Sequence, residues 1–321
     1  MLWITIAVTS YLINAGIYVA DKFLLSKKIH SSIAYSFYVG IWSIFNALLL
    51  IFSPWVPTLK ELALDLSAGI LFLITLIFWY KALHQSEATR VVPIAGALVP
   101  IFSYILSYFF LGEVFDKNQT LAFFILIAGG ILISIKHTEI YLWEKIFLKA
   151  RNIWGNIFGE IKAETRPTQR LIINSVISAF FFAAYYILMK HIYINQPFIG
   201  SFVWSRLGTF IGVIFIFLVP AWRKLILERR HEARAPKNFT FFLSIRILAA
   251  IAFIMLNWAI SLGNVAMVNA LQGTQYIFLI ILVLILSTKF PKILKEELGG
   301  GVLIQKIVGI ILVSMGLWVL I

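Results

Sequence analysis

Ten apolar stretches, each about as long as a bilayer-crossing helix, limit what this chain can fold into more than any other feature. A span needs about 20 mainly apolar residues. Reading between polar interruptions gives 2–20, 31–52, 66–84, 91–112 and 118–135, then 171–189, 198–219, 240–262, 265–288 and 304–321. Apolar residues make up 61% of the chain and charged residues 13%, against roughly 45–50% and about 25% in soluble domains. Lipid must cover the surplus, so the expectation is an all-α, polytopic integral membrane protein. The first stretch has no basic n-region and runs into DKFLLSKK without a small-residue cleavage site, so it reads as a retained span.

The two halves repeat. At an offset of 168, Ser10, Tyr18, Lys22 and Gly40 fall on Ser178, Tyr186, Lys190 and Gly208. At 176, Ile101-Phe102 falls on Ile277-Phe278, and at 186, Gln119 and Gly130 fall on Gln305 and Gly316. Five is an odd number of spans, so tandem copies lie in opposite orientations: two inverted five-helix repeats, 1–136 and 171–321. Segment 137–170 joins them. From Trp143 to Lys162 its apolar residues recur at helical spacing with lysines and an arginine opposite, the pattern of an amphipathic helix on an anionic leaflet. Of 27 Lys and Arg, 22 lie in or beside the loops after odd-numbered spans, which by the positive-inside rule puts both termini outside. The excess of Lys and Arg over 14 Asp and Glu is read as this loop bias, not as a nucleic-acid surface.

Polar groups inside the spans are the candidates for function, because hydrocarbon penalises them. Arg206 is eight residues past Phe198, about 12 Å into the membrane at 1.5 Å per residue. Arg246 is six residues past Thr240, about 9 Å deep on the same basis. A guanidinium in a cavity binds carboxylate or phosphate bidentately; the competing reading is a structural arginine bonded to carbonyls at a helix break. In the ninth span Asn269, Gln272 and Tyr276 share a face at i, i+3 and i+7, with Gln275 beside them. They are expected to line a cavity, with interhelical bonding as the alternative. At offset 176 this stripe falls on Pro93, Gly96 and Pro100 of the fourth span. That span's prolines are tolerated where neighbours or cavity water satisfy the freed carbonyls, so they are expected to mark the opposite cavity wall. Asn14, Trp42 and Trp258 complete the substrate-binding candidates. No Asp or Glu lies mid-span; Asp21, Asp65, Glu87 and Glu113 are all at span ends.

Enzyme chemistry has no constellation here. There is no HExxH, no phosphate-binding glycine loop and no GxSxG, the histidines are scattered and cysteine is absent. No catalytic residue, metal or cofactor is expected.

The segment ALHQSEATRVVPIAGALVPIFSYILSYFFLGEVFDKNQTLAFFILIAGGILI, set within ten spans in two repeats, resembles the drug/metabolite transporter superfamily, in its EamA-domain branch. The matching positions are Ala82-Leu83, Pro100, Gly112-Glu113, Gln119 and Gly129-Gly130. The second half keeps Gln305, Gly309 and Gly316, has Arg206 where the family often has an arginine, and has Tyr276 in place of the proline. The resemblance implies cytoplasmic termini, a cavity built by spans one to four and six to nine, and buttressing by five and ten. The function expected is secondary transport of a small polar or anionic, amino-acid-like metabolite by alternating access, in a bacterial inner membrane, with no nucleic-acid partner and a homo-oligomer allowed. Two alternatives stand: a nucleotide-sugar or sugar-phosphate exchanger, and a non-transporting membrane scaffold or receptor that uses the basic connecting segment.

Overall fold

The computed structural model describes residues 1–27, 31–52, 54–85, 88–134, 167–228, 236–287 and 300–320. The amphipathic pattern from Trp143 to Lys162 lies outside them. Among the described residues the regular elements are all helical: α1 (Leu2–Lys27), α2 (Ser32–Ile41) with its 3-10 continuation Trp42–Ile51, α3 (Leu59–Gln85), α4 (Ala88–Leu111), α5 (Lys117–Ser134), α6 (Pro167–Asn195), α7 (Phe198–Leu218), α8 (Pro220–Glu228), α9 (Pro236–Leu262), α10 (Val265–Ala270), α11 (Gly273–Ser287) and α12 (Gly300–Leu320). Seven segments, drawn from α1, α2 with its continuation, α3, α4, α6, α7 and α9, are long and apolar enough to cross a membrane. Parts of α5 and α12 are shorter apolar helices, and α10 and α11 are separated by a turn at Leu271-Gln272.

Side chains and glycines at the helix ends explain where the chain turns. Thr58 and Glu61 form a capping box at the start of α3, the Thr58 N–H donating to Glu61 Oε2 at 2.7 Å. Asp116 and Gln119 do the same for α5: the Gln119 N–H donates to Asp116 Oδ1 at 2.8 Å and the Asp116 N–H to Gln119 Oε1 at 3.2 Å. Gly112 ends α4 at φ +65°, the left-handed conformation that glycine adopts without strain. At the end of α9 the Lys190 ammonium donates to the carbonyls of Ile260, Ser261 and Gly263 at 3.1, 3.1 and 2.9 Å. Its charge meets the negative end of that helix dipole. Asn264 then starts α10, its Oδ1 accepting from the N–H groups of Ala266 and Met267.

Most packing runs between the halves. α1 lies along α9, α3 along α6 and α7, α4 along α6, and α5 along α12. In a bilayer, lipid tails are as apolar as leucine, so association depends on close fit and hydrogen bonds. Small residues supply the fit. A Cβ on Gly69 of α3 would stand 1.9 Å from Ser205 O, and one on Gly208 of α7 would stand 2.4 Å from Leu66 O. With the backbones this near, Thr209 Oγ1 donates to Gly69 O at 3.0 Å. Gly129 similarly admits the Gly309 carbonyl between α5 and α12. Two serines aligned by the repeat make corresponding bonds across the bundle: Ser10 of α1 donates to Ala252 O of α9 at 2.7 Å, and Ser178 of α6 to Thr75 O of α3 at 3.4 Å.

The glycine contacts predict unequal effects of alanine. Gly69→Ala and Gly208→Ala should each lower the stability of the detergent-solubilised protein by about 1–3 kcal/mol, the usual cost of overpacking. Gly16→Ala meets nothing within 4 Å and should leave the thermal unfolding midpoint where it is or raise it slightly.

Candidate functional site

A cavity of about 150 Å³ lies between α1, α2 and its 3-10 continuation, α3, α6, α7 and α9. That is room for several water molecules at ~10–15 Å³ each. On α1 the wall is Asn14, Ile17, Tyr18 and Asp21. Asn14, Tyr18 and Asp21 stand at i, i+4 and i+7, so one helix face carries an amide, a phenol and a carboxylate into the same space. Trp42, Ser43 and Asn46 line it from the 3-10 segment, Phe72, Trp79 and Tyr80 from α3, Tyr186 from α6, Phe202, Arg206 and Thr209 from α7, and Arg246 and Phe253 from α9.

Arg206 is 4% exposed. Its Nη2 donates to the Tyr185 hydroxyl at 3.0 Å. The guanidinium carbon sits 4.1 Å from the centre of the Phe72 ring and 4.7 Å from that of Phe253, with Tyr185 and Phe202 at 5.4 and 5.6 Å. Ring faces of this kind stabilise a desolvated cation by about 2 kcal/mol but neutralise none of its charge. Among the described residues no carboxylate pairs with Arg206, and its Nε has no hydrogen-bond partner.

Arg246 has the opposite arrangement. It forms a buried salt bridge through Nη2 with Asp21 Oδ1. Tyr35 of α2 donates to the same carboxylate at 2.7 Å and Tyr80 of α3 at 3.3 Å. The two hydroxyls also lie 3.5 Å from the guanidinium nitrogens. Among the described residues of the lining, Asp21, Arg206 and Arg246 are the charged side chains, which leaves the positive charge of Arg206 without a balancing carboxylate there.

Of the sequence candidates, Arg206, Arg246, Asn14 and Trp42 meet at this cavity. Asn269, Gln272, Gln275 and Tyr276 do not line it; all four are buried where α10, α11 and the turn between them pack on α1, α4 and α5. Asn269 Nδ2 donates to Ser103 Oγ of α4 at 2.7 Å, and a Cβ on Gly96 would lie 1.7 Å from the Tyr276 hydroxyl and 2.9 Å from Gln272 Cδ. The fourth and ninth spans therefore do face each other, but through a packed seam and not across a cavity. Pro100 and Gly96 are buried in this region, and α4 is helical through Pro93 and Pro100. Trp258 is 43% exposed on the outside of α9.

Asp21 is the residue that sequence reading left out. The first expected span stops at residue 20, before a charge, whereas α1 continues to Lys27 and carries Asp21 inward at 2% exposure. Its spacing from Asn14 and Tyr18 was the available signal. At the other end of the bundle Glu113 accepts from Asn264 Nδ2 at 2.6 Å. Burial pushes its carboxyl above the ordinary value of 4.5, with the Lys190 charge opposing the shift.

With this geometry in hand, residues 1–135 match the model of the EamA-like transporter family. That half of the chain is an EamA-like domain of the drug/metabolite transporter superfamily, and the protein is an integral membrane protein. No curated protein matches the sequence. A crystal structure of a protein is similar in fold, with a TM-score of 0.62 at 13% identity over 99% of this chain and 95% of that one.

The Glu113 contact gives a pH prediction. Folded Glu113 holds its proton to higher pH than the unfolded chain, so its contribution to stability is present below about pH 4.5 and is lost as pH rises through the raised folded value. Glu113→Gln removes this dependence: the unfolding midpoint of the parent, measured relative to the variant, should fall as pH rises above 4.5.

Proposed function

We propose that this protein is a secondary transporter that moves a small anionic or zwitterionic metabolite of amino-acid size, using Arg206 to take the solute's carboxylate or phosphate. One observation carries the reading: a buried guanidinium faces a cavity with no carboxylate partner among the described residues. An arginine at a helix centre costs ~2.5–3.5 kcal/mol on insertion scales. Its aromatic cage reduces that cost but leaves the planar donor fork short of acceptors, and a carboxylate or phosphate fits it bidentately. Asn14, Ser43 and Asn46 add neutral hydrogen-bonding groups around the solute.

The same proposal takes the chain as ten spans in two inverted five-helix repeats that rock about the cavity. The ten are the seven long apolar segments, the apolar parts of α5 and α12, and the broken pair α10–α11. Reciprocal packing supports it: α1 against α9 mirrors α6 against α3, down to the bonds of Ser10 and Ser178. Among the described residues α5 and α12 pack on each other and supply no lining residue, and α4, α10 and α11 supply none either, although the resemblance implies that the fourth and ninth spans help build the cavity. The location proposed is a bacterial inner membrane. A cavity walled by Arg206 and aromatic rings is a reason to prefer a carrier to a scaffold, and no enzymatic activity is proposed.

The test is flux into liposomes with L-leucine, L-glutamate, pyruvate and glucose 6-phosphate as labelled solutes. At least one anionic member should move. Arg206→Ala should weaken its apparent affinity about 10- to 100-fold, in line with ~1.5–3 kcal/mol for a charged hydrogen bond. Arg206→Lys, which keeps the charge but not the fork, should fall in between. Transport by Arg206→Ala at the parent's affinity would sink the reading.

A further inference from the structure

Arg206 leaves the second guanidinium unexplained. Arg246 is 8% exposed and its charge is already balanced by Asp21, so it is unavailable to a solute while that pair stands. The groups around the pair are specific. Tyr35 and Tyr80 both donate to the carboxylate, and the Arg246 guanidinium lies 5.3 and 5.7 Å from the rings of Phe242 and Tyr35. An arginine and two phenols converging on one carboxylate form a carboxylate receptor, and the protein's own side chain occupies it.

Stability does not require such an arrangement. Two buried charges are commonly replaced by apolar residues of similar volume with no loss or with a gain, whereas removing one charge alone is costly. What the pair offers is two discrete states. It ties α1 of the first half to α9 of the second, with α2 and α3 supplying the phenols, at one end of the cavity. Opening that end requires α1 and α9 to part, and they can part cheaply only if the carboxylate is first neutralised.

We infer that Asp21 is a proton-binding site: a proton taken up there releases Arg246, opens this end of the cavity and is carried with the anion. This rests on the transport reading above. The step balances. A proton from the water facing the cavity binds the Asp21 carboxylate and gives a neutral acid. Arg246 keeps its charge and turns to the solute. On the far side anion and proton leave together and the pair closes again. Proton plus monoanion is a neutral cargo, so the cycle is insensitive to membrane voltage. The titratable and charged groups facing Asp21 among the described residues are Tyr35 of α2, Tyr80 of α3 and Arg246 of α9, with Tyr18 on its own helix. Of these only Arg246 can balance the carboxylate's charge.

The absence of cysteine gives a test that needs no solute. Ser43→Cys places a thiol in the cavity wall and Val56→Cys places one in an exposed loop at 85% exposure. The reaction rate of each with N-ethylmaleimide is measured in detergent from pH 5 to 9. Each rate is first divided by that thiol's own ionised fraction at the same pH, so the ratio of cavity to loop rates is free of thiol ionisation. It should rise as pH falls, and Asp21→Asn should abolish that rise. If Asp21→Asn does not fold, Asp21→Asn/Arg246→Gln removes both charges and should likewise give a flat ratio. A flat ratio in the parent, or a rise that survives loss of the carboxylate, overturns the proposal.

In liposomes a one-unit inward proton gradient should concentrate a carried monoanion such as pyruvate up to about tenfold, with no accumulation in Asp21→Asn. Equal accumulation in both also overturns it. Anion flux together with a flat thiol ratio would sink the proton site and leave the carrier standing. A pH-dependent thiol ratio with no flux from any solute would sink the carrier reading and leave the latch.

Discussion

Hydrocarbon offers no hydrogen bonds, and that one fact shapes most of what this protein does with its polar atoms. The backbone satisfies itself within helices, and side-chain groups must find partners on neighbouring helices. Thr209 uses the carbonyl of Gly69, Ser10 that of Ala252, and Lys190 the three carbonyls that end α9. Each bond ties one helix to another, and the Thr209 bond does so at a spacing that Gly69 and Gly208 allow. The glycines of the α3–α7 and α5–α12 contacts are therefore part of the same solution as the polar groups they sit beside.

Against that background the two arginines differ in kind. Arg246 is balanced by a carboxylate that two phenols also bond, although its Nε, like that of Arg206, has no hydrogen-bond partner among the described residues. Arg206 receives one phenol hydroxyl and four aromatic faces. A carboxylate balances the first charge, and among the described residues none balances the second.

The amino-acid sequence made much of this legible, for reasons that can be given residue by residue. Long apolar runs mark spans, seven of the ten expected being long and apolar enough among the described residues, and rise per residue gives depth along a helix, which is why Arg206, Arg246, Asn14 and Trp42 could be singled out. The EamA resemblance rested on positions with identifiable mechanical work: Gly112 reverses the chain, Gln119 closes a cap, and Gly129 admits a neighbouring backbone. The Asn269 stripe misled because a polar face points inward equally well toward a cavity or toward another helix, and periodicity cannot tell the two apart. Gly96, with no side chain, decided the matter by letting Tyr276 and Gln272 close in. Asp21 escaped because a charge was taken to end a span, when Arg246, 225 positions away, was there to carry it inward. Such a pairing leaves no local trace.

The corresponding bonds of Ser10 and Ser178 have a consequence for energetics. A frame whose halves grip each other through equivalent contacts would, with identical halves, be equally content tilted either way, and its two end states would be degenerate. The charges are not repeated: Asp21 aligns with Met189 and Arg206 with Tyr38. In the two-repeat reading, the symmetric scaffold supplies the motion, while these unmatched residues lift the degeneracy and give the empty protein a resting side.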